Sequence, residues 1–249
     1  MLLADSTLVD DLAPSPNFGE RRAPVDSIIL HYTGMETGEG ALAWLRNPAS
    51  EVSCHYFIDE HGRITQLVAE AARAWHAGAS HWRGHDDLNS RSIGIEIVNQ
   101  GAIAQFPPYP RAQVASVIRL CRDIIQRHGL RPENVLAHSD IAPARKQDPG
   151  EAFPWHELYA HGVGLWVPAE TIVEGPVLED GHRGSAVAGL QQSLINYGYG
   201  LEVTGHYDAA TSAVVTAFQR HFRQARIDGR ADVSTIMTLQ ALHAALLAR

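Results

Sequence analysis

The stretch VLAHSDIAPARKQDPG, residues 135–150, places several chemically reactive side chains directly after a short apolar run. The apolar run predicts a buried strand that leads to His138, and Asp148 follows further along the same segment. Pro143 and Pro149 exclude one continuous helix, because proline lacks an N–H group and biases the residue before it toward extended backbone. We therefore expect a shaped loop that carries functional groups.

Two other apolar runs end in side chains of the same kind. Residues 27–30 lead to His31, and residues 92–95 lead to Glu96. Functional groups of α/β sheets collect where strands end and loops begin, so both groups are predicted to meet the 135–150 loop. Within that loop Lys146 lies two residues before the aspartate, and alternate residues of an extended chain point the same way. An ammonium and a carboxylate are therefore predicted to share one pocket.

These residues suggest a metal-dependent hydrolase. His31, His138 and Asp148 form a set of two histidines and one carboxylate, which suits zinc with a fourth position left open for water. Glu96 and Lys146 then remain for proton transfer and for stabilising a developing oxyanion. Two alternatives stay open: His31 as an ordinary core histidine, and Glu96 as a purely structural partner of Lys146.

Four motifs resemble those of the zinc-dependent N-acetylmuramoyl-L-alanine amidases, and more narrowly their AmpD/AmiD-type branch, which is related to the peptidoglycan recognition proteins. They are HYT at 31–33, WHAG at 75–78, SIGIE at 92–96, and HSDIAP at 138–143 followed by RKQDPG at 145–150. The resemblance covers roughly residues 20–160. It implies that His31, His138 and Asp148 bind zinc and that Glu96 and Lys146 are catalytic.

The resemblance also implies the reaction. The bond cut would join the lactyl carbonyl of N-acetylmuramic acid, or of its 1,6-anhydro form, to L-alanine of the peptidoglycan stem peptide, whereas the residues alone indicate only metal-dependent hydrolysis. Intact wall and soluble anhydromuropeptide both remain open as substrates. A non-catalytic recognition protein on the same fold is the alternative, but such a protein would normally lack a zinc ligand.

Further site residues are weaker candidates. The candidates for contact with the substrate are His76, Arg83, Asn89 and Asn99. Cys54 stands where some relatives have a catalytic tyrosine, so that a tyrosine-assisted mechanism loses support and more weight falls on Glu96.

The C-terminal part predicts a separate three-helix bundle. A pattern of Gly205, Asp208 and Thr211 recurs as Gly229, Asp232 and Thr235, with each aspartate suited to cap a helix. The segment from about 178 to 249 resembles a small peptidoglycan-binding domain. A bundle that serves dimerisation or stability is the alternative.

The predicted fold class is α/β, with a mixed central sheet flanked by helices and followed by the bundle. Strands are predicted over 25–31, 52–58 and 63–68, and helices over 40–46 and 110–127. The predicted domains are 1–175, the zinc amidase domain with its core at about 20–160 and then a linker, and 176–249, the peptidoglycan-binding domain.

Composition limits the partners and the compartment. A net charge of −8 argues against a nucleic-acid binder, and we expect no membrane-spanning segment. Cys54 and Cys121 are predicted to be buried free thiols. Residues 1–22 lack the pattern of a secretory signal, so we expect a cytoplasmic protein as the sequence stands, or a periplasmic one if a leader has been removed. The oligomeric state stays open.

Overall fold

The computed structural model describes residues 2–248 in two compact units. The first unit comprises the chain up to Ser80, residues 87–138 and residues 148–165. The second unit comprises residues 81–86, residues 139–147 and the chain from Trp166 onward. Neither unit is continuous in sequence, and the predicted division near residue 175 stays a prediction.

A mixed six-stranded sheet forms the centre of the first unit. The strands of the described chain are β1 (Asp11–Leu12), β2 (Phe18–Glu20), β3 (Ser27–Tyr32), β4 (Tyr56–Ile58), β5 (Ile64–Gln66), β6 (Ala72–Ala74), β7 (Ser92–Ile97) and β8 (Val135–Ala137). The sheet has the order β1-β5-β4-β7-β3-β8, and β4, β7, β3 and β8 are parallel neighbours. Strand β5 pairs antiparallel with β4 and parallel with β1, while β2 and β6 form a separate antiparallel pair.

Strand β3 lies inside the sheet, as its sequence predicts. Ile28, Ile29 and Leu30 are all completely buried, although successive strand residues point to opposite faces. Both faces of the strand are therefore covered, as is usual for parallel strands. The prediction for 52–58 is correct only in its last part, because the Ser53 N–H donates to the Trp75 carbonyl, outside the ladder of β4 with β5 and β7.

Helices pack around the sheet in the first unit, and the second unit contains three longer helices. The α-helices of the described chain are α1 (Gly38–Leu45), α2 (Leu88–Arg91), α3 (Arg111–His128), α4 (His138–Ile141), α5 (Trp155–Ala160), α6 (Ser185–Tyr197), α7 (Ala209–Phe222) and α8 (Val233–Leu247). Short 3₁₀ turns lie at Pro48–Ser50, Gly101–Ala104 and Pro132–Asn134. The predicted helix over 110–127 is thus confirmed as α3.

Helix α3 is fixed both at its end and along its buried face. Gly129 follows it with a φ of 63°, and this left-handed conformation is the usual reason for glycine after a helix. The Gly129 N–H donates to the Ile125 carbonyl. The buried amide of Gln113 donates to the Val98 carbonyl just beyond β7. Cys121 is buried on the same helix, and both it and Cys54 are free, as predicted.

The second unit contains the predicted helix caps. The Asp208 carboxylate accepts the Thr211 N–H at 2.9 Å at the start of α7. Asp232 accepts the Thr235 N–H at 2.7 Å at the start of α8. These bonds satisfy N–H groups that the first turn of a helix leaves without partners, so the repeated sequence pattern has a repeated structural role.

Two buried glutamines extend this repeat. The Gln191 side-chain oxygen accepts the Gly205 N–H at 2.9 Å, and its amide nitrogen donates to the His206 carbonyl. The Gln219 oxygen accepts the Gly229 N–H at 2.9 Å, and its nitrogen donates to the Arg230 carbonyl. Each glutamine therefore ties its helix to the loop that precedes the next helix.

Within residues 2–248, no helix is both long enough and apolar enough to cross a lipid bilayer.

A buried carboxylate joins strand β4 to helix α3 in the first unit. Glu70 accepts hydrogen bonds from the Tyr56 hydroxyl (2.5 Å), from both terminal nitrogens of Arg127 (2.5 and 2.7 Å) and from Nε2 of His128 (2.6 Å). Burial alone would raise the pKa of Glu70, but the hydrogen bonds from Arg127, Tyr56 and His128 outweigh burial and lower it to about 2. The ionised carboxylate therefore stabilises the folded state.

We predict that Glu70→Gln destabilises the protein in a pH-dependent way. The folded-state pKa lies below the ordinary value of 4.5, so the stabilisation is present above pH 4.5 and is lost as the pH falls toward 2. Of roughly 3 kcal/mol in total, about 2 kcal/mol should be gone at pH 3. Urea unfolding of parent and variant at pH 7 and pH 3 measures this difference.

The matched control is Glu20→Gln, because Glu20 is exposed on β2. It should change the free energy of unfolding by less than about 0.5 kcal/mol at either pH. Equal destabilisation by Glu70→Gln at pH 7 and pH 3 would contradict the role assigned to the ionised carboxylate.

Candidate metal and catalytic site

The parallel strands bring the candidate residues to one end of the sheet, where the strands stop. His31 on β3 pairs in register with Glu96 on β7. Leu30 pairs with Ala137, the last residue of β8, so His138 follows at the level of His31. Residues in register on neighbouring strands project to the same face, which places the side chains of these elements side by side. The expectation that strand ends bring His31 to the 135–150 loop is confirmed, and the same expectation for Glu96 stays a prediction.

Three buried side chains converge at this end of the strands. The Nδ1 atoms of His31 and His138 lie 2.9 Å apart, and Oδ2 of Asp148 lies 3.0 Å from the first and 2.9 Å from the second. The three residues are between 1% and 6% exposed. This buried group could hold a metal ion.

The surroundings of the aspartate in this group favour its ionised form. Burial alone would raise the pKa of Asp148, but its attraction to His138 and its hydrogen bonds with His138 and His31 outweigh burial and hold that pKa well below its usual range. A carboxylate in this form is the state in which an aspartate binds a metal.

The outer nitrogens of the two histidines show which ring atoms face the centre. Nε2 of His138 lies 3.1 Å from the Ala77 carbonyl, which can only accept, so this nitrogen carries the proton. Nε2 of His31 lies 3.0 Å from Nδ1 of His76. With protons on both Nε2 atoms, a metal ion at the centre would take the Nδ1 lone pairs in place of the hydrogen bonds between these nitrogens and Asp148.

His76 completes a hydrogen-bonded chain behind His31. Its Nε2 lies 3.3 Å from the Ser92 hydroxyl, and that hydroxyl donates to the Leu88 carbonyl at 2.5 Å. His76 Nε2–H therefore donates to Ser92, and its Nδ1 accepts from His31. A Cβ atom at Gly94 would lie 2.4 Å from the His76 ring, so glycine makes the room for it. His76 is 8% exposed, and its geometry is that of a group that orients His31.

The other candidates for substrate contact form hydrogen bonds with main-chain groups. The Asn89 side-chain oxygen accepts the N–H groups of His76 (2.9 Å) and Ala77 (2.7 Å). Asn99 donates to the Pro107 carbonyl, and the Arg83 N–H donates to the Gly198 carbonyl within the second unit. Contact of His76, Arg83, Asn89 and Asn99 with a substrate stays a prediction.

The two candidate catalytic residues lie in different units. Glu96 is half-buried on β7 in the first unit, while Lys146 is half-buried in the 139–147 segment, where its N–H donates to the Ala142 carbonyl at 3.0 Å.

Burial, and then the charge of Glu96, raises the pKa of the Cys54 thiol well above its ordinary value. The Cys54 thiol therefore favours its protonated form.

The sequence did not point to the residues that support this site. Tyr109 donates its hydroxyl to the Pro149 carbonyl at 2.8 Å, next to Asp148, and Ser92 contacts His76. Tyr109 and Pro149 are 40 residues apart, so no local pattern signals the contact.

We predict that His76→Ala weakens the binding of a divalent metal ten- to hundredfold, because partners that orient metal-binding histidines typically contribute that much. Competition with a chelator measures the dissociation constant. His76→Asn should recover part of the loss, since its amide oxygen can accept from His31 Nε2. The control is His61→Ala, which removes an exposed histidine of the same unit. An unchanged affinity in His76→Ala would exclude the orienting role.

Two families match this chain. The N-acetylmuramoyl-L-alanine amidase family matches residues 21–151, and a putative peptidoglycan binding domain matches residues 183–239. The chain is 38% identical over 227 residues to the N-acetylmuramoyl-L-alanine amidase AmiD of Escherichia coli (strain K12), which covers 86% of this chain and 81% of AmiD.

Solved structures agree with the fold. A complex of E. coli AmiD with anhydro-N-acetylmuramic acid-L-Ala-D-gamma-Glu-L-Lys has a TM-score of 0.76 at 34% identity, and covers 92% of this chain and 98% of that one. Pseudomonas aeruginosa AmpDh3 in complex with anhydromuramic pentapeptide has a TM-score of 0.73 at 33% identity, with 99% of both chains covered. The predicted fold class and the resemblance drawn from the motifs are confirmed: the chain belongs to the N-acetylmuramoyl-L-alanine amidase family.

Proposed function

We propose that this protein is a zinc-dependent amidase that cleaves the bond between N-acetylmuramic acid, or its 1,6-anhydro form, and L-alanine of the peptidoglycan stem peptide. The observation that carries the proposal is the buried group of His31, His138 and Asp148 at the strand ends of an amidase-family domain. The anhydromuramyl peptides in the AmiD and AmpDh3 structures support the substrate class.

The donor set suits zinc. Two imidazole nitrogens and one ionised carboxylate oxygen would hold it and leave a fourth position open, which is the usual arrangement of a catalytic zinc site. Bound there, zinc would acidify water toward a pKa of about 7 and polarise the scissile carbonyl. The complete set also argues against a non-catalytic recognition protein on this fold.

The side chains around this set would move protons and stabilise charge. Glu96, in register with His31, would accept a proton from the attacking water and later deliver one to the leaving amine of L-alanine. Lys146 would stabilise the oxyanion that forms at the lactyl carbonyl, a contribution of about 3 kcal/mol for one such donor.

The proposed domains follow the same division as the two matched families. Residues 1–175 would carry the reaction and residues 176–249 would bind peptidoglycan, which the match over 183–239 supports. A wall-binding segment raises the local concentration of the enzyme on a polymer without altering its chemistry. Soluble anhydromuropeptides and intact sacculi are therefore both to be tested as substrates.

We predict one zinc per chain and activity that depends on it. A chelator should abolish hydrolysis and added zinc should restore it, while His31→Ala should be purified with little zinc. Mass spectrometry of the products from sacculi and from purified anhydromuropeptides, run in parallel, should show peptides that begin with a free L-alanine. A zinc content in His31→Ala equal to that of the parent would contradict the ligand set.

We predict separate effects for the two catalytic candidates. Glu96→Gln should lower kcat by a factor of about 10² to 10⁴, and Lys146→Ala by about 10² to 10³, because each removes a group that acts on the reacting atoms. Both variants should keep their zinc. Gln147→Ala is the control, since it truncates an exposed neighbour of Lys146 in the same loop. Loss of zinc from either variant would mean that the roles are assigned wrongly.

A further inference from the structure

The segment between two of the proposed metal ligands is anchored by Asp140. Residues 139–147 belong to the second unit, but along the chain they join His138 directly to Asp148, both of the first unit. Asp140 is completely buried, and both of its carboxylate oxygens accept hydrogen bonds. Oδ1 accepts from the Tyr199 hydroxyl at 2.8 Å, and Oδ2 accepts from Nδ1 of His221 at 2.7 Å.

Both donors are themselves held firmly within the second unit. Tyr199 is 2% exposed and lies edge-to-face against Trp82, while His221 is 1% exposed and stacks on Phe222 with ring centroids 4.0 Å apart. Burial, and then the charge of Asp140, raises the pKa of the Tyr199 hydroxyl well above its ordinary value, so this hydroxyl keeps its proton and donates.

A second anchor lies beside the first. The Ile141 carbonyl accepts the His81 N–H at 2.8 Å, and Ile141 is 1% exposed. The chain is therefore fixed two and three residues after His138, before the turns that lead to Asp148. Hydrogen bonds to a buried carboxylate are among the stronger ones in proteins, so this anchor resists displacement.

We propose that Asp140, bound by Tyr199 and His221, is a positioning residue for the metal site: it fixes the path of the chain between His138 and Asp148 and so pre-organises two of the three ligands. The effect passes to the ligands through the covalent chain. A pre-organised site binds its metal more tightly because less conformational freedom is lost on binding. This inference rests on the proposed function, and it gives Tyr199 and His221 a role in zinc affinity besides wall binding by the C-terminal segment.

The test compares two buried tyrosines of the same unit in the full-length protein. Tyr199→Phe removes the bond to Asp140, whereas the control Tyr207→Phe removes a bond to the Gly229 carbonyl at 2.7 Å, and Tyr207 is completely buried. Zinc dissociation constants come from competition with a chelator, and the absorption spectrum of the cobalt-substituted protein reports ligand geometry. We expect Tyr199→Phe and Asp140→Asn to bind zinc about tenfold more weakly and to change the cobalt spectrum.

Tyr207→Phe should match the parent in zinc affinity and in the cobalt spectrum. We expect this even if its unfolding midpoint falls as much as that of Tyr199→Phe. His221→Asn, which keeps a donor near the position of Nδ1, should bind zinc more tightly than His221→Phe, as rescue by a conservative change requires. At saturating zinc, Tyr199→Phe should regain most of the parental kcat. Should Asp140→Asn fail to fold, the two tyrosine variants decide.

Equal zinc affinities in Tyr199→Phe and Tyr207→Phe would overturn the inference, whether both match the parent or both fall. The His31→Ala variant separates this failure from failure of the proposed function. If His31→Ala loses zinc while Tyr199→Phe binds it like the parent, only the positioning role is wrong. If His31→Ala keeps its zinc, the ligand set itself is wrong.

Discussion

The parallel register of β8, β3 and β7 is the constraint on which the site depends. Parallel strands in register end together, so residues far apart in sequence reach the same level of the sheet. His31 and Glu96 are such a pair, and His138 follows the third strand. A shift of one residue in any of these ladders would turn the affected side chain to the opposite face. The buried apolar residues of these strands fix their register, and the register determines which side chains meet where the strands end.

Buried carboxylates in this protein differ in the partners that balance them. Glu70 is bound by Arg127, whose charge is permanent, so the cluster has a structural character. Asp148 instead faces two histidines, whose ring nitrogens can bind metals through their lone pairs. The cost of burying a charge is met in both places, but only the second arrangement leaves donor atoms for a cation.

Local patterns explain which features were predictable from the sequence. Apolar runs indicated β3 and β8, helical spacing indicated α3, and the caps at Asp208 and Asp232 followed from a pattern that spans one turn. The short strands β1, β2 and β6 were missed because most of their residues are exposed or half-buried and form no apolar run. The contacts behind the site were missed for another reason: the partners of Asp140 lie 59 and 81 residues away, and tertiary packing alone brings them together.

The same separations set an order of folding. Gln191 and Gln219 close loops to Gly205 and Gly229 of only 14 and 10 residues, and short loops lose little entropy on closure. The helix-and-loop repeats can thus form early, whereas the bonds to Asp140 need two distant parts of the chain to meet. Tight metal binding would then be acquired late in folding. If Asp140 positions the ligands as we propose, a chain that is still being synthesised, and whose His221 has not yet left the ribosome, would hold a metal more weakly than the finished chain.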